Sequence, residues 1–143
     1  MTRDELKEKL RSAYTLQRLV DAGVAELQNL RDSAGKITPA YSLAPGVCGT
    51  GQRIENDTAK IVDLENTLMA DKKRLVEAVA EIKKLIALVD EPLLNRILEK
   101  RYLQYQKWEQ IAVDLGYAWA QIHRLHSKAL NYILKKMIHN DTQ

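Results

Sequence analysis

The sequence predicts an all-α protein, a long antiparallel helical hairpin of coiled-coil character followed by a C-terminal helix-turn-helix domain. Three observations carry that expectation. Apolar residues recur every seven positions along two stretches, Leu6-Ala13-Val20-Leu27 and Ile54-Ile61-Leu68-Leu75-Ile82-Val89, the spacing of a helix that buries one seam against another. The segment between them, Gly35 to Arg53, holds four glycines and two prolines and has no helical period, so it interrupts the pattern. Residues 107–130, KWEQIAVDLGYAWAQIHRLHSKAL, read as two short helices about a glycine corner. We therefore expect a hairpin over residues 1–90, with a flexible loop at 35–53, and a helix-turn-helix domain over residues 91–140.

Composition agrees. Charged residues make up 29% of the 143-residue chain, aromatics 6%, and phenylalanine is absent, a balance rich in helix formers. The single Cys48 excludes an internal disulfide framework and any multi-cysteine zinc site. No signal peptide is read before the first helix, and no apolar run approaches the roughly 20 residues that cross a bilayer. A soluble cytoplasmic protein is expected, without a membrane partner.

The first helix is expected from Asp4 to about Ala34. Thr2 and Glu5 have the spacing of a capping box. Leu10 and Val24 supply part of a second seam row, and Leu16, Leu19 and Leu30 widen the stripe. Gly23, unfavourable in a helix interior by about 1 kcal/mol against alanine, suggests close approach of a partner helix. In the second helix, expected from Ile54 to Val89, the companion row is mixed: Leu64, Ala78 and Leu85 fit it, but Asp57 and Asp71 do not. Apolar positions left over, such as Leu16, Leu30, Val62 and Met69, leave homodimerisation through these helices, or a four-helix bundle, open.

Asp90-Glu91-Pro92 ends that helix and starts another, since proline is accepted in a first turn and acids there complement the helix dipole. Leu93, Leu94, Ile97, Leu98 and Tyr102 then give an apolar face reaching about Gln104. Next, Trp108, Ile111, Ala112 and Leu115 form one helical face, and Gly116 falls where a left-handed residue ends a helix. Ile122, Leu125, Ala129 and Leu130 form the inward face of the last helix, leaving Gln121, His123, Arg124 and Lys128 outward. Ile133, Leu134 and Met137 extend it to about His139.

Charge is concentrated in this region. Residues 1–90 hold 14 Lys+Arg against 14 Asp+Glu and balance to zero, whereas residues 91–143 hold 8 against 5 and supply the net +3. Between Tyr117 and Asn140 there is no acid, but Arg124, Lys128, Lys135 and Lys136 are present, as phosphate binding requires.

The run EPLLNRILEKRYLQYQKWEQIAVDLGYAWAQIHRLHSKALNYILKKM resembles region four of bacterial primary sigma factors, the module that reads the promoter −35 element. The phrases KIVDLE, RY, WEQIA, LGY and RLHSKAL are similar to those of a family of phage and prophage proteins of Gram-positive bacteria regarded as regulators of late or lysis transcription. The resemblance implies a bacterial host cytoplasm, double-stranded DNA as a partner and contact with host RNA polymerase. It departs from the pattern in named places. Lys107 and Ala118 stand where Ser or Thr usually caps each motif helix, and Tyr105 stands where a glycine turn is usual. Trp119 and Ala120 occupy base-reading positions, and a third falls on Arg124, whose guanidinium can bond guanine O6 and N7 together. The sigma recognition code is thus not preserved.

Gln121 and Arg124 are the expected base contacts. His123, Lys128, Lys135 and Lys136 suit phosphates. Tyr117 and Trp119 could meet the sugar-phosphate backbone or thymine methyls, Tyr117 could equally fill the core beneath the turn, and Trp119 could dock a protein. His123 and His126 share a helix, but no acid or cysteine nearby in sequence completes a metal site. Without a phosphate loop, a nucleophile elbow or a carboxylate pair beside a histidine, no enzymatic activity and no cofactor are expected. The alternative is a protein-interaction module that binds RNA polymerase or another regulator without reading DNA.

Overall fold

The computed structural model describes residues 1–35 and 50–142, with only the backbone of residue 35 and of residues 50–55. Cys48 and the middle of the interrupting segment lie outside the described residues. Five α-helices and one π-helical turn follow one another, with no strand among the described residues: α1 (Arg3–Gly35), α2 (Thr50–Ala87), α3 (Pro92–Leu98), the π turn Glu99–Leu103, α4 (Trp108–Leu115) and α5 (Trp119–Asp141). The protein is all-α. Helix α2 begins within the segment expected as a loop, at Thr50, and ends at Ala87 rather than Val89.

The capping box forms at the start of α1. The Thr2 backbone N–H donates to Glu5 Oε2 at 2.9 Å, and the Glu5 N–H donates to Thr2 Oγ1 at 3.2 Å.

Helices α1 and α2 pair antiparallel, and the described residues divide into two packed units, Leu16–Arg74 and a second made of Met1–Thr15 with Leu75–Gln143. In the Leu16–Arg74 unit Val20, Leu27 and Leu68 are buried, and Arg31 reaches Glu65 at 2.6 Å. A Cβ placed on Gly23 would overlap the Leu68 Cδ1 methyl, so the glycine makes room for the Leu68 side chain of α2. Val24, expected in the seam, is 46% exposed. Leu16, Gly23 and Leu30 are half-buried instead. These three stand three residues after Ala13, Val20 and Leu27, so the second row of the seam lies at that step, whereas Val24, four after Val20, falls outside it. Asp71, which breaks the expected row of α2, is enclosed all the same at 9% exposure, with Arg74 Nη1 at 3.9 Å.

The other unit holds the main core. Leu6, Leu10 and Ala13 of α1 meet Ile82, Leu85, Ile86 and Val89, and the same cluster includes Leu94, Leu98, Tyr102, Ala129, Leu130 and Ile133. Asn95 ties α3 to the end of α2 by donating from Nδ2 to the carbonyls of Ile86, at 3.0 Å, and Val89, at 3.4 Å. The Ile86 carbonyl also accepts from the Val89 N–H at 3.0 Å, so Asn95 adds a second bond at that helix end. A second cluster of Ile97, Ile111, Ala112 and Ile122, with Trp108, Leu115, Tyr117 and Leu125 around it, joins α3, α4 and α5.

The helix expected to run unbroken to Gln104 changes pitch after Leu98. The Gln104 N–H donates to Glu99 O at 3.0 Å, a five-residue step that widens the turn. Tyr105 follows at φ 58°, in the left-handed region where a glycine is the unstrained choice. Lys100 on the π turn pairs with Asp114 of α4 at 3.6 Å. Gly116 takes φ 73°, and the Tyr117 N–H donates back to Ala112 O at 3.0 Å. Neither Lys107 nor Ala118 makes a side-chain cap. Each omission forgoes about 1 kcal/mol, whereas fully burying one Ile or Leu contributes about 2 kcal/mol. Ile111 of α4 and Ile122, Leu130 and Ile133 of α5 are completely buried, so packing outweighs the absent caps.

Candidate nucleic-acid interface

Helix α5 sorts its residues into two faces. Ile122, His126, Ala129, Leu130 and Ile133 are buried. Gln121, Arg124, Lys128, Asn131 and Lys135 are all exposed, at alternating steps of three and four that place them on one ridge. No acid lies on this helix before Asp141. The ridge is positioned from below by the Ile97-Ile111-Ile122 cluster and by the tight corner at Gly116, so its side chains stand on a rigid element. Asn131 belongs to this ridge and was not among the expected contacts, although its place at i+3 from Lys128 is readable from the sequence.

The candidate cations differ in what they touch. Arg124 and Lys135 have no ion-pair partner among the described residues. Lys128 Nζ lies 3.7 Å from Glu91 Oε2, a largely exposed pair that is worth little against solvent. Lys136 is engaged more fully. Its Nζ and the Tyr132 hydroxyl both donate to Asp90 Oδ2, at 3.0 and 2.7 Å. The Tyr132 hydrogen bond, followed by that of Lys136, holds the Asp90 carboxyl below its ordinary value, and the bond to Asp90 raises Lys136. Lys136 therefore fastens α5 to the start of α3, which separates it from the other expected phosphate contacts.

His123, expected on the outward face, is packed by its ring. Its centroid lies 3.9 Å from Trp119 and 4.7 Å from Trp108, and its Nε2 is enclosed without a hydrogen-bond partner. Trp119, one turn earlier on α5, and Trp108 of α4 capture an imidazole that a count of outward positions leaves in solvent. Trp119 itself is 54% exposed. Tyr117 is half-buried against the second core cluster, the core-filling alternative.

His126 has a structural setting. Its Nε2 and the Tyr102 hydroxyl share a buried hydrogen bond of 2.6 Å, and the Trp108 ring stands edge-on at 4.6 Å. Burial first, then the positive charges of Lys7, His123, Arg101 and Arg3, holds the imidazole down to about 3, so it is neutral. Burial likewise raises the Tyr102 hydroxyl. The two histidines thus do not converge on a metal, and no group of three or more metal-ligating side chains occurs among the described residues. No helix of the described residues is long and apolar enough to cross a membrane.

Those charges point to residues the sequence reading did not single out. Arg3, Lys7 and Arg11 recur every fourth position on α1, so they share a face. None of them makes an ion pair among the described residues. Counting residues 1–90 as electrically neutral hides this row, because a regional sum does not show which cations share a face and go without an ion pair. Compared with known proteins, the chain matches no family model, no curated protein and no solved structure.

Proposed function

We propose that this protein is a transcription regulator of the phage type, in which α4 and α5 act as a sigma-like helix-turn-helix that binds promoter DNA. One observation carries the reading: the exposed ridge Gln121-Arg124-Lys128-Asn131-Lys135 on a helix that has no acid before Asp141 and whose opposite face is packed. A rigid helix of about this width fits the major groove of B-DNA. Arg124 and Gln121, near the N-terminal end, have the chemistry to read base edges, and Asn131 adds an amide. Lys128 and Lys135 supply phosphate contacts, which give affinity but not sequence choice. Trp119 at the start of α5 replaces a base-reading residue of the sigma pattern, so a sequence other than the −35 element is expected. Recruitment of host RNA polymerase through a protein surface would complete the mechanism. The exposed Val62 and Met69 of α2, seven residues apart, support self-association.

A second reading has its own observation. Val113 and Trp119, at 76% and 54% exposure, give the same two helices apolar surface suited to a protein such as polymerase. Fluorescence anisotropy with duplex DNA at several salt concentrations separates the two. DNA binding predicts a logarithm of affinity that falls linearly with log salt, and Lys128→Ala lowers that slope by about 1. No duplex binding at physiological salt, with polymerase retained after nuclease treatment, would leave only the protein-binding reading.

A further inference from the structure

On the unit that holds α3 to α5, a cleft of about 320 Å³ opens between the N-terminal part of α1 and the π turn. Leu10 and Tyr102, both buried, form its floor. The rings of Tyr14 and Tyr105 form a wall, 5.3 Å apart and tilted by 58°. Arg11, Arg101 and Lys107 stand around the opening, and no carboxylate lines it. Arg101 is fixed in place, with Nη1 donating to Gln106 O at 2.9 Å and its guanidinium 4.7 Å over the Trp108 ring. Tyr105 is the one non-glycine residue with positive φ among those described. Such strain persists where surrounding structure enforces it and concentrates at ligand clamps.

We propose that this cleft binds a small organic anion that joins a flat ring to a phosphate, as a nucleotide does. Tyrosine faces stack a flat ring, an apolar floor excludes water beneath it, and guanidinium groups bond phosphate oxygens in pairs. Three cations without a balancing acid would otherwise repel one another across the opening. Bound DNA satisfies only part of this chemistry, since a duplex offers phosphates to the rim but keeps its bases stacked away from the tyrosines. The site is distinct from the α5 ridge and stands without the DNA-binding reading.

The test is isothermal titration calorimetry of the full chain with adenosine monophosphate, and with adenosine and inorganic phosphate as its two halves. Saturable one-to-one binding of the monophosphate is expected, with each half about tenfold weaker or more. Tyr14→Ala and Arg11→Ala, both at exposed positions, should each weaken it about tenfold while leaving the helical circular dichroism intact. Arg124→Ala should leave it unchanged. Three results would overturn the proposal: no saturable heat at millimolar monophosphate, phosphate binding as tightly as the whole molecule, or affinity unaltered in both cleft variants. Failure of the monophosphate to bind, combined with weaker duplex binding by Arg11→Ala, would make the cleft a seat for DNA backbone and would also overturn it.

Discussion

The Tyr102 hydroxyl and His126 Nε2 lie 2.6 Å apart inside the α3 to α5 unit, where they form a buried polar pair surrounded by positive charge. Its consequence is a pH dependence of stability. Above the ordinary value of 6.5 the imidazole is neutral in both folded and unfolded chains. As pH falls below 6.5, the unfolded chain takes up a proton that the folded one refuses until about 3. Stability therefore declines on acidification through that window, with a slope from this group approaching about 1.4 kcal/mol per pH unit. Urea unfolding of wild type and His126→Gln from pH 7 to pH 4 should show a shallower slope in the variant. Equal slopes would place His126 in solvent.

Gly23 of α1 leaves the space that the Leu68 side chain of α2 fills in the other unit. Alanine is the better helix former by about 1 kcal/mol, whereas overpacking costs about 1–3 kcal/mol. Gly23→Ala should therefore destabilise by about 1 kcal/mol in wild type and become stabilising in a Leu68→Ala background. A stabilising effect in both backgrounds would mean that the helices do not meet there.

Ala118 leaves the first turn of α5 without a side-chain cap. Ala118→Ser should add about 1 kcal/mol of stability, read as a higher urea midpoint at unchanged m-value. Gly116→Ala should act in the opposite direction by about 1 kcal/mol, and through the backbone alone, since a Cβ there meets nothing within 4 Å. A neutral Gly116→Ala would contradict the left-handed corner.

Period and punctuation made much of this fold readable. The seven-residue rows gave α1 and α2, Thr2 and Glu5 gave the first cap, and Gly116 gave the corner. Seam detail was less legible, because the second row of a seam can lie three or four residues after the first, and here it takes the three-residue step through Leu16, Gly23 and Leu30 rather than Val24. The π turn carries no local signature, and left-handed Tyr105 is marked only by the glycine turn that the family resemblance places there, since its own chemistry disfavours that conformation. On the α5 face, spacing identified Gln121, Arg124 and Lys128 as outward. It misjudged His123, whose position depends on Trp108 from another helix. It also missed the row Arg3, Lys7 and Arg11, which a search for four-residue spacing of like charge would have found.

The measurement that bears most directly on the proposed function is selection of duplexes from a random pool by the full chain, followed by anisotropy titration of the enriched sequence. DNA recognition by the α5 ridge predicts an enriched motif, bound at least about tenfold more tightly than random duplex at physiological salt. Arg124→Ala should reduce that preference, while Lys135→Ala weakens both duplexes alike. Recovery of no motif, or an enriched sequence bound equally well by Arg124→Ala, would contradict the account.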